Sequence, residues 1–181
     1  FVVETMLKTK RGTLFAAGYG INSSGSGWAL VVHKSTDNGV NWSSIKLPDV
    51  QPNWGFVHSM VEDNNGVLYA GGTGFWKSAD GGNTWTSLPV PYPDTYYGGF
   101  AAIYRMTITK DNSLIVSFGT GYDGVGPKVY KKTDEGDVWS ELFSHYFINS
   151  IVEADDGSLV FRAGLGTSGE GSVNRYYAGT V

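Results

Sequence analysis

The segment FWKSADGGNTW at residues 75–85 contains the motif that best indicates the architecture of the whole chain. Taken alone, it suggests a catalytic loop, because it combines a hydroxyl, a carboxylate, a flexible glycine and a tryptophan. The residues concerned are Ser78, Asp80, Gly82 and Trp85. The same pattern recurs as STDNGVNW at 35–42 and, degraded, as KTDEGDVW at 132–139. A pattern that occurs three times indicates a repeated structural unit rather than one active site.

The other two copies of the motif contribute Asp37, Gly39 and Trp42, and Asp134, Gly136 and Trp139. Two further columns of residues repeat together with this motif. An anchor leucine recurs at Leu14, Leu68, Leu114 and Leu159. Eight residues before each leucine lie Met6, Met60, Met106 and Ile151. The chain therefore contains four units of roughly 45 residues, a period typical of repeat architectures, and the fourth unit is incomplete.

The composition of the 181 residues favours strands over helices. Glycine is abundant at 26 residues, aromatic residues make up 14% and charged residues only 17%. Such a chain suits short strands joined by Gly, Asn, Asp and Ser turns. Each unit shows four strand-like stretches, and we predict an all-β fold, a β-propeller of about four four-stranded antiparallel blades. A single propeller domain or propeller fragment is expected, with blades at approximately 1–53, 54–99, 100–145 and 146–181.

The motif S/T-x-D-x-G-x-x-W, placed between the third and fourth strands of a unit, resembles the Asp box, or bacterial neuraminidase repeat. Similar boxes occur in sialidases, xyloglucanase-type hydrolases, sortilin-type receptors and photosystem assembly factors. The resemblance implies a fold and no single activity, because these families share the box but not a chemistry. We expect a structural role, with the Asp and Ser side chains bonding turn amides and the tryptophan packing on a neighbouring blade.

Several classes of function are disfavoured by composition. A net charge of −4 offers no electrostatic footprint for nucleic acid. The absence of cysteine excludes disulfides and thiolate sites, and three scattered histidines do not suggest a zinc site. No metal or cofactor is predicted. No apolar run approaches the roughly 18 residues that span a bilayer, so membrane insertion is not expected, and the composition fits a secreted, periplasmic or cell-surface protein.

The predicted binding surface is the propeller face opposite the Asp boxes, where loops and blade links vary. Aromatic rings there could stack on sugar rings. A polar column precedes the methionine column by two residues and would surround the mouth of the central channel. The predicted ligand-binding residues are Glu4, His58, Tyr104, Arg105, Asn149, Trp54, Tyr96 and Tyr97. The alternative is that the column lines a hydrated channel and that the rings cap the core.

Two functions remain open from the sequence. The first is a non-catalytic recognition or scaffold propeller that binds a carbohydrate or a protein. The second is a sialidase-like or xyloglucanase-like glycoside hydrolase, of which this chain is a fragment or divergent member. No catalytic residue is assigned, because the sialidase arginine signature is absent and no motif ties Asp49, Asp94 or Asp123 to the role of a paired acid. The incomplete fourth unit predicts an open sheet edge, closed by a homo-oligomer or by the remainder of a larger propeller; the alternative is a compact four-bladed monomer with irregular closure.

Overall fold

The computed structural model describes residues 1–21, 25, 28–48, 55–90, 101–120, 128–133, 138–144, 148–164 and 171–177. Within these ranges all regular secondary structure is β-strand and no helix occurs, as the composition predicted. The chain divides into two compact units, unit 1 from Phe1 to Val90 and unit 2 from Pro91 to Val181. Each unit contains two antiparallel sheets in which the strands lie side by side in chain order.

Unit 1 consists of two four-stranded sheets. Sheet 1 contains β1 (Val2–Lys8), β2 (Leu14–Ile21), β3 (Trp28–Ser35) and β4 (Ser43–Ile45). Sheet 2 contains β5 (Val57–Glu62), β6 (Leu68–Gly72), β7 (Phe75–Ser78) and β8 (Thr86–Ser87). The first three strands of each sheet are long and the fourth is short, so most backbone pairing lies among the inner strands.

Unit 2 repeats this plan with a shorter last sheet. Sheet 3 contains β9 (Ala101–Ile108), β10 (Leu114–Thr120), β11 (Lys128–Lys132) and β12 (Trp139–Ser144). Sheet 4 contains β13 (Ile148–Glu153), β14 (Leu159–Gly164) and β15 (Gly171–Tyr176). Sheet 4 has three strands within the described residues, which agrees with the incomplete fourth unit that the sequence predicted.

The turn between the first and second strands has one design in all four sheets. The amide of its first residue donates to the carbonyl of the fifth, and the amide of the fourth donates back to the carbonyl of the first. The fourth position needs a positive φ, between 62° and 88°, where glycine and asparagine are tolerated best. The residues at this position are Gly12, Gly66, Asn112 and Gly157.

Each unit has an apolar core between its two sheets. In unit 1, Phe15, Ala17 and Val32 of sheet 1 pack with Met60 and Trp76 of sheet 2. In unit 2, the core residues are Ile115 and Val129 of sheet 3 with Ile148, Ile151, Leu159, Phe161 and Ala163 of sheet 4. Burial of each large side chain contributes about 1.5–3 kcal/mol, so these cores are the main stabilising element of the units.

A polar contact joins the first-strand ends of paired sheets in both units. The backbone amide of Lys10 donates to Glu62 Oε2 at 2.6 Å, and Lys10 Nζ donates to the Asp63 carbonyl at 2.9 Å. In unit 2 the amide of Lys110 donates to Glu153 Oε2 at 2.6 Å. We call this contact the lysine clasp. Its recurrence shows that the sheets of both units pack in the same register.

The tryptophans of the first two motif copies immediately precede the fourth strands. Strands β4 and β8 start one residue later, at Ser43 and Thr86. In the first copy the Trp42 indole N–H donates to the Gly39 carbonyl at 3.0 Å, which ties the ring to the turn. Trp139 does begin β12.

Candidate functional site

The predicted polar column coincides with a β-bulge in every first strand. In sheet 1, Val3 pairs with Gly18 and Thr5 pairs with Ala17, which leaves Glu4 as the extra residue. The same interruption occurs in the other three first strands. The four bulge residues are Glu4, His58, Tyr104 and Asn149. A bulge redirects its side chain and interrupts the ladder. The four residues of the polar column therefore occupy the same backbone position in their respective sheets.

Two members of the column lie together in unit 1. The Nδ1 atom of His58 is 3.8 Å from Glu4 Oε2, and the side chains are 17% and 30% exposed, respectively. The imidazole stacks on the Phe56 ring, with 5.6 Å between centroids and 7° between planes. A carboxylate and an imidazole are therefore held side by side in a partly desolvated position beside an aromatic surface.

The aromatic surface continues from Phe56 to Tyr19 and Trp28. The Tyr19 ring lies edge-on to Phe56 at 5.1 Å and to Trp28 at 4.9 Å. Trp28 retains 38% exposure, so part of its indole is open to solvent. We call Glu4, Tyr19, Trp28, Phe56 and His58 the unit 1 cluster.

Backbone contacts fix the unit 1 cluster in place. The Gly55 amide donates to the Trp28 carbonyl at 3.2 Å, and the Phe56 amide donates to Thr73 Oγ1 at 3.2 Å. These bonds tie the link that precedes β5 to the first residue of β3 and to the turn between β6 and β7. The cluster is thus assembled from both sheets of unit 1, and its rings are positioned by strand ends rather than by one loop.

Sequence reasoning identified part of this cluster and missed part of it. Glu4 and His58 were predicted and lie together. Tyr19 and Trp28 were not singled out, although Trp28 closes the variable loop at 21–28 and Tyr19 is flanked by Gly18 and Gly20. A large ring between two glycines at a strand end was the available signal. Trp54, Tyr96 and Tyr97 lie outside the described residues, as do Asp49, Asp94 and Asp123.

The predicted ligand-binding residues of unit 2 contact residues of their own sheet. Arg105 donates through Nη1 to the Tyr104 carbonyl at 2.6 Å, and its amide donates to Ser117 Oγ at 3.1 Å. Tyr104 is partly buried, and this desolvation raises the pKa of its phenol. The backbone of Asn149 is part of β13.

The repeated motif forms a closed hydrogen-bonded turn in unit 1. We call residues 35–42 the first Asp turn and residues 78–85 the second Asp turn. In the first, Ser35 Oγ donates to Asp37 at 2.8 Å and accepts from the Gly39 amide at 2.9 Å. In the second, Ser78 Oγ makes the equivalent bonds to Asp80 and Gly82 at 2.8 Å and 2.9 Å. Asp134 and Gly136 of the third copy lie outside the described residues.

The carboxylates of Asp37 and Asp80 accept hydrogen bonds from residues of their own Asp turns. The Asn41 amide, the Asn41 side chain and the Ser35 hydroxyl lower the pKa of Asp37 to about 2. The Thr84 hydroxyl and amide hold the pKa of Asp80 below its usual range. A general acid needs a pKa near the working pH, whereas these groups are ionised and already accept several bonds. Their geometry is that of turn-stabilising residues.

A groove lies beside the first Asp turn, at the other end of β3 from the unit 1 cluster. Its volume is about 440 Å³, and its lining residues are Lys34, Thr36, Asp37, Asn41, Trp42, Ser43, Ile45 and Asn83. Two of its polar groups bond each other, since Lys34 Nζ donates to Asn83 Oδ1 at 2.7 Å. Trp42, on its wall, is 39% exposed.

Two kinds of feature are absent from the described residues. No group of three or more His, Asp or Glu side chains is placed to hold a metal ion within the described ranges. Over the same part of the chain, no helix is long and apolar enough to cross a membrane.

No family model matches the chain. It is 30% identical over 151 residues to a xyloglucanase of Paenibacillus sp., an alignment that covers 70% of this chain and 15% of that protein. The chain therefore corresponds to a small part of the length of this curated relative.

Solved structures extend the likeness to nearly the whole chain. A GH74 enzyme of Niastella koreensis matches 96% of this chain with a TM-score of 0.68 at 21% identity, over 28% of its own length. A Trypanosoma rangeli sialidase matches 97% with a TM-score of 0.67 at 15% identity, over 36% of its length. The chain has the β-propeller fold. Its four sheets are blades, and the last blade is shorter than the others.

A third likeness is to an extracellular domain. The extracellular domain of a one-component system of B. thetaiotaomicron matches 98% of this chain with a TM-score of 0.63 at 15% identity, over 22% of its length. The structural relatives thus include both hydrolases and the extracellular domain of a one-component system, and at these identities the likeness is one of fold.

Proposed function

We propose that this chain is a carbohydrate-recognition segment of a β-propeller and that the unit 1 cluster contacts the sugar. The observation that carries the proposal is the continuous arrangement of the partly exposed Trp28 ring, the Tyr19 and Phe56 rings and the Glu4–His58 pair. Aromatic planes stack on the C–H faces of sugar rings, while carboxylate and imidazole groups bond hydroxyls. Sites of this kind combine an apolar lining with a few placed polar groups.

The ligand class that we propose is a neutral β-glucan chain such as xyloglucan. Glu4 places a carboxylate within the unit 1 cluster, which disfavours an anionic sugar through like-charge repulsion. The 30% identity to a xyloglucanase supports the same class. The remaining sequence-predicted residues stay proposed ligand-binding residues, each considered within its own unit and apart from the unit 1 cluster: Trp54 in unit 1, and Tyr96, Tyr97, Tyr104, Arg105 and Asn149 in unit 2.

We further assign the two Asp turns to the Asp-box class, with a structural role. The assignment is supported by the bonds of Ser35 and Ser78 to turn amides and carboxylates. An exported location accompanies the carbohydrate proposal, because polysaccharide ligands lie outside the cell. The extracellular domain among the structural relatives supports that location.

Isothermal titration of the chain with xyloglucan oligosaccharides, and separately with sialyllactose, tests the proposal. We expect binding to the neutral oligosaccharide, and a Trp28→Ala variant that binds at least about tenfold more weakly because stacking is lost. Trp42→Ala is the matched control, since Trp42 is 39% exposed and Trp28 is 38% exposed. Binding that Trp42→Ala weakens and Trp28→Ala does not would refute the site. Binding of sialyllactose alone would refute the ligand class.

A second candidate function is glycoside hydrolysis by a longer parent protein, and the xyloglucanase relative favours it. Hydrolysis of this type generally needs two carboxyl groups about 5–10 Å apart, and Glu4 is the carboxyl group of the unit 1 cluster. A reducing-sugar assay on xyloglucan separates the two candidates. We expect no turnover by the 181-residue chain. Turnover that is abolished by Glu4→Gln, Asp94→Asn or Asp123→Asn would favour the enzyme.

A further inference from the structure

The ring of Phe56 joins the two halves of the unit 1 cluster. On one side it meets the Tyr19 ring, which in turn meets Trp28. On the other side it stacks on the His58 imidazole, whose neighbour is Glu4. The aromatic half and the polar half of the cluster therefore face a ligand together only while Phe56 keeps its position.

Phe56 is held by one residue of the turn between β6 and β7. The Thr73 amide donates to the Phe56 carbonyl at 3.1 Å, and Thr73 Oγ1 accepts from the Phe56 amide at 3.2 Å. Val57 pairs with Gly72, so Phe56 and Thr73 occupy the next step of the same ladder. At this step the return bond comes from a side-chain hydroxyl instead of a backbone carbonyl. The Thr73 hydroxyl thus takes the place of a ladder acceptor just before β5.

The turn that carries Thr73 packs closely against Phe56 and Trp76. The Gly72 amide donates to the Gly74 carbonyl at 2.9 Å, which closes the turn. A Cβ atom on Gly72 would overlap the Phe56 carbonyl oxygen, and a Cβ on Gly74 would lie 2.5 Å from Trp76 Cζ2. Glycine at both positions permits this approach. Thr73 is therefore placed between two backbone positions that have no room to shift toward their neighbours.

The short connection between its second and third strands distinguishes sheet 2 from the other sheets. Between the described ends of these strands, sheet 2 has residues 73–74, whereas the other sheets have residues 22–27, 121–127 and 165–170. Short hairpin connections adopt a few defined backbone geometries. The sheet with the shortest connection is also the one whose first strand and preceding link contribute His58 and Phe56 to the unit 1 cluster.

Loss of the Thr73 hydroxyl would act on the cluster through the Phe56 backbone. The Phe56 amide would lose its acceptor, and an unpaired amide in a partly buried position is unfavourable unless it moves toward water. The Phe56 ring is attached to that backbone by only two side-chain torsion angles with preferred values. A shift of the backbone would therefore move the ring relative to Tyr19 and His58.

We propose that Thr73 is the positioning residue of the unit 1 cluster, a role that rests on the proposed carbohydrate function of that cluster. Its hydroxyl fixes the Phe56 backbone, and through Phe56 it sets the affinity for the sugar. Thr73 acts through Phe56, whereas the members of the unit 1 cluster are the residues that contact the ligand.

The position of Phe56 can be followed without a ligand. The Phe56 and His58 rings are stacked, with 7° between their planes, so the Phe56 ring current shifts the NMR resonances of the His58 ring protons. The chain has three histidines, and the His58→Asn variant identifies the signal of His58. We expect Thr73→Val to move this signal, because the Phe56 amide loses its acceptor. Thr73→Ser keeps an acceptor oxygen and should leave the signal near its wild-type position.

Titration with xyloglucan oligosaccharides measures the consequence for binding. Thr73→Val should weaken binding about three- to tenfold, the size of effect expected from one lost hydrogen bond, and Thr73→Ser should retain most of the affinity. Thr9→Val is the matched control, because Thr9 Oγ1 also accepts from a backbone amide, that of Thr13, at 3.0 Å in the turn after β1. It should lower the melting temperature and leave both the His58 signal and the affinity unchanged.

The possible outcomes separate the role of Thr73 from the proposed function. A moved His58 signal and weaker binding in Thr73→Val, both reversed in Thr73→Ser, support the proposal. An unmoved signal overturns it, and so does a moved signal with unchanged affinity. Equal effects of Thr73→Val and Thr9→Val on binding also overturn it, since they indicate a general loss of stability. A wild-type chain that binds none of the oligosaccharides refutes the carbohydrate function and with it the effect on affinity, while the His58 signal still shows whether Thr73 holds Phe56.

Discussion

The indole of Trp85 meets the Phe15 ring edge to face, with 6.4 Å between centroids and 87° between planes. Gly82 of the same Asp turn packs against this ring from close range. A Cβ atom on Gly82 would lie 2.5 Å from Phe15 Cζ, whereas a Cβ on Gly81 would meet nothing within 4 Å. The second Asp turn thus uses its glycine to bring the backbone onto the ring of the preceding sheet.

This contact predicts different costs for two neighbouring substitutions. Both glycines have a positive φ, 71° for Gly81 and 81° for Gly82, so alanine at either position costs about 1 kcal/mol of backbone strain. Gly82→Ala should cost about 1–3 kcal/mol more, because it also overpacks the Phe15 ring. Urea unfolding of the two variants measures the difference, and equal loss of stability would contradict the assigned contact.

The two buried tryptophans of sheet 2 offer a second comparison. Trp76 is 2% exposed and its indole N–H donates to the Pro48 carbonyl at 2.8 Å. Trp85 is 9% exposed, and its indole nitrogen has no hydrogen-bond partner among the described residues. Trp76→Phe should therefore destabilise the fold by about 1–3 kcal/mol more than Trp85→Phe, because it leaves a carbonyl unpaired. Denaturant midpoints of the two variants provide the measurement, and a reversed order would be inconsistent with these bonds.

The Asp turns predict how stability depends on pH. The pKa of Asp37 is lowered from 3.8 to about 2, chiefly by the Asn41 amide. A lowered folded-state pKa contributes stability that is present above the unfolded value and is lost as the pH falls through the folded value. Asp37→Asn should reduce the melting temperature at neutral pH, and its difference from the wild type should narrow between about pH 4 and pH 2. A difference that stays constant over that window would rule out this titration as the cause.

The lysine clasp predicts that an acceptor at position 62 matters more than its charge. Glu62 Oε2 accepts from the Lys10 backbone amide at 2.6 Å, and glutamine keeps an acceptor oxygen there. Glu62→Ala should lose about 0.5–1.5 kcal/mol, and Glu62→Gln should lose less. The same order should hold at Glu153, which bonds the Lys110 amide. Thermal unfolding of the four variants checks this, and equal effects of Ala and Gln would indicate that the bond is not made.

The repeat and its register could be read from the sequence because they are local patterns. The methionine column and the leucine column predict one alignment of the first and second strands in every blade. The structure has that alignment, since each residue of the methionine column pairs with the residue two positions after its anchor leucine. These pairs are Met6 with Ala16, Met60 with Ala70, Met106 with Val116, and Ile151 with Phe161.

The site was harder to predict because it depends on contacts that are distant in sequence. Trp28 and Phe56 are brought together by Tyr19 and by a backbone bond from Gly55, and no local pattern encodes this meeting. Trp42 and Trp85 occupy the same motif position and differ in exposure only because a sheet covers one of them. A motif predicts its own turn and leaves open what packs against it.

The bulges also bear on how binding specificity can change in this molecule. Glu4 and His58 each lie at a register shift of the ladder, where a change of side chain affects the regular strand pairing least. The four copies accordingly carry an acid, an imidazole, a phenol and an amide on an otherwise repeated strand. Directed evolution of a new ligand preference could therefore randomise these four positions together and leave the scaffold largely unaffected.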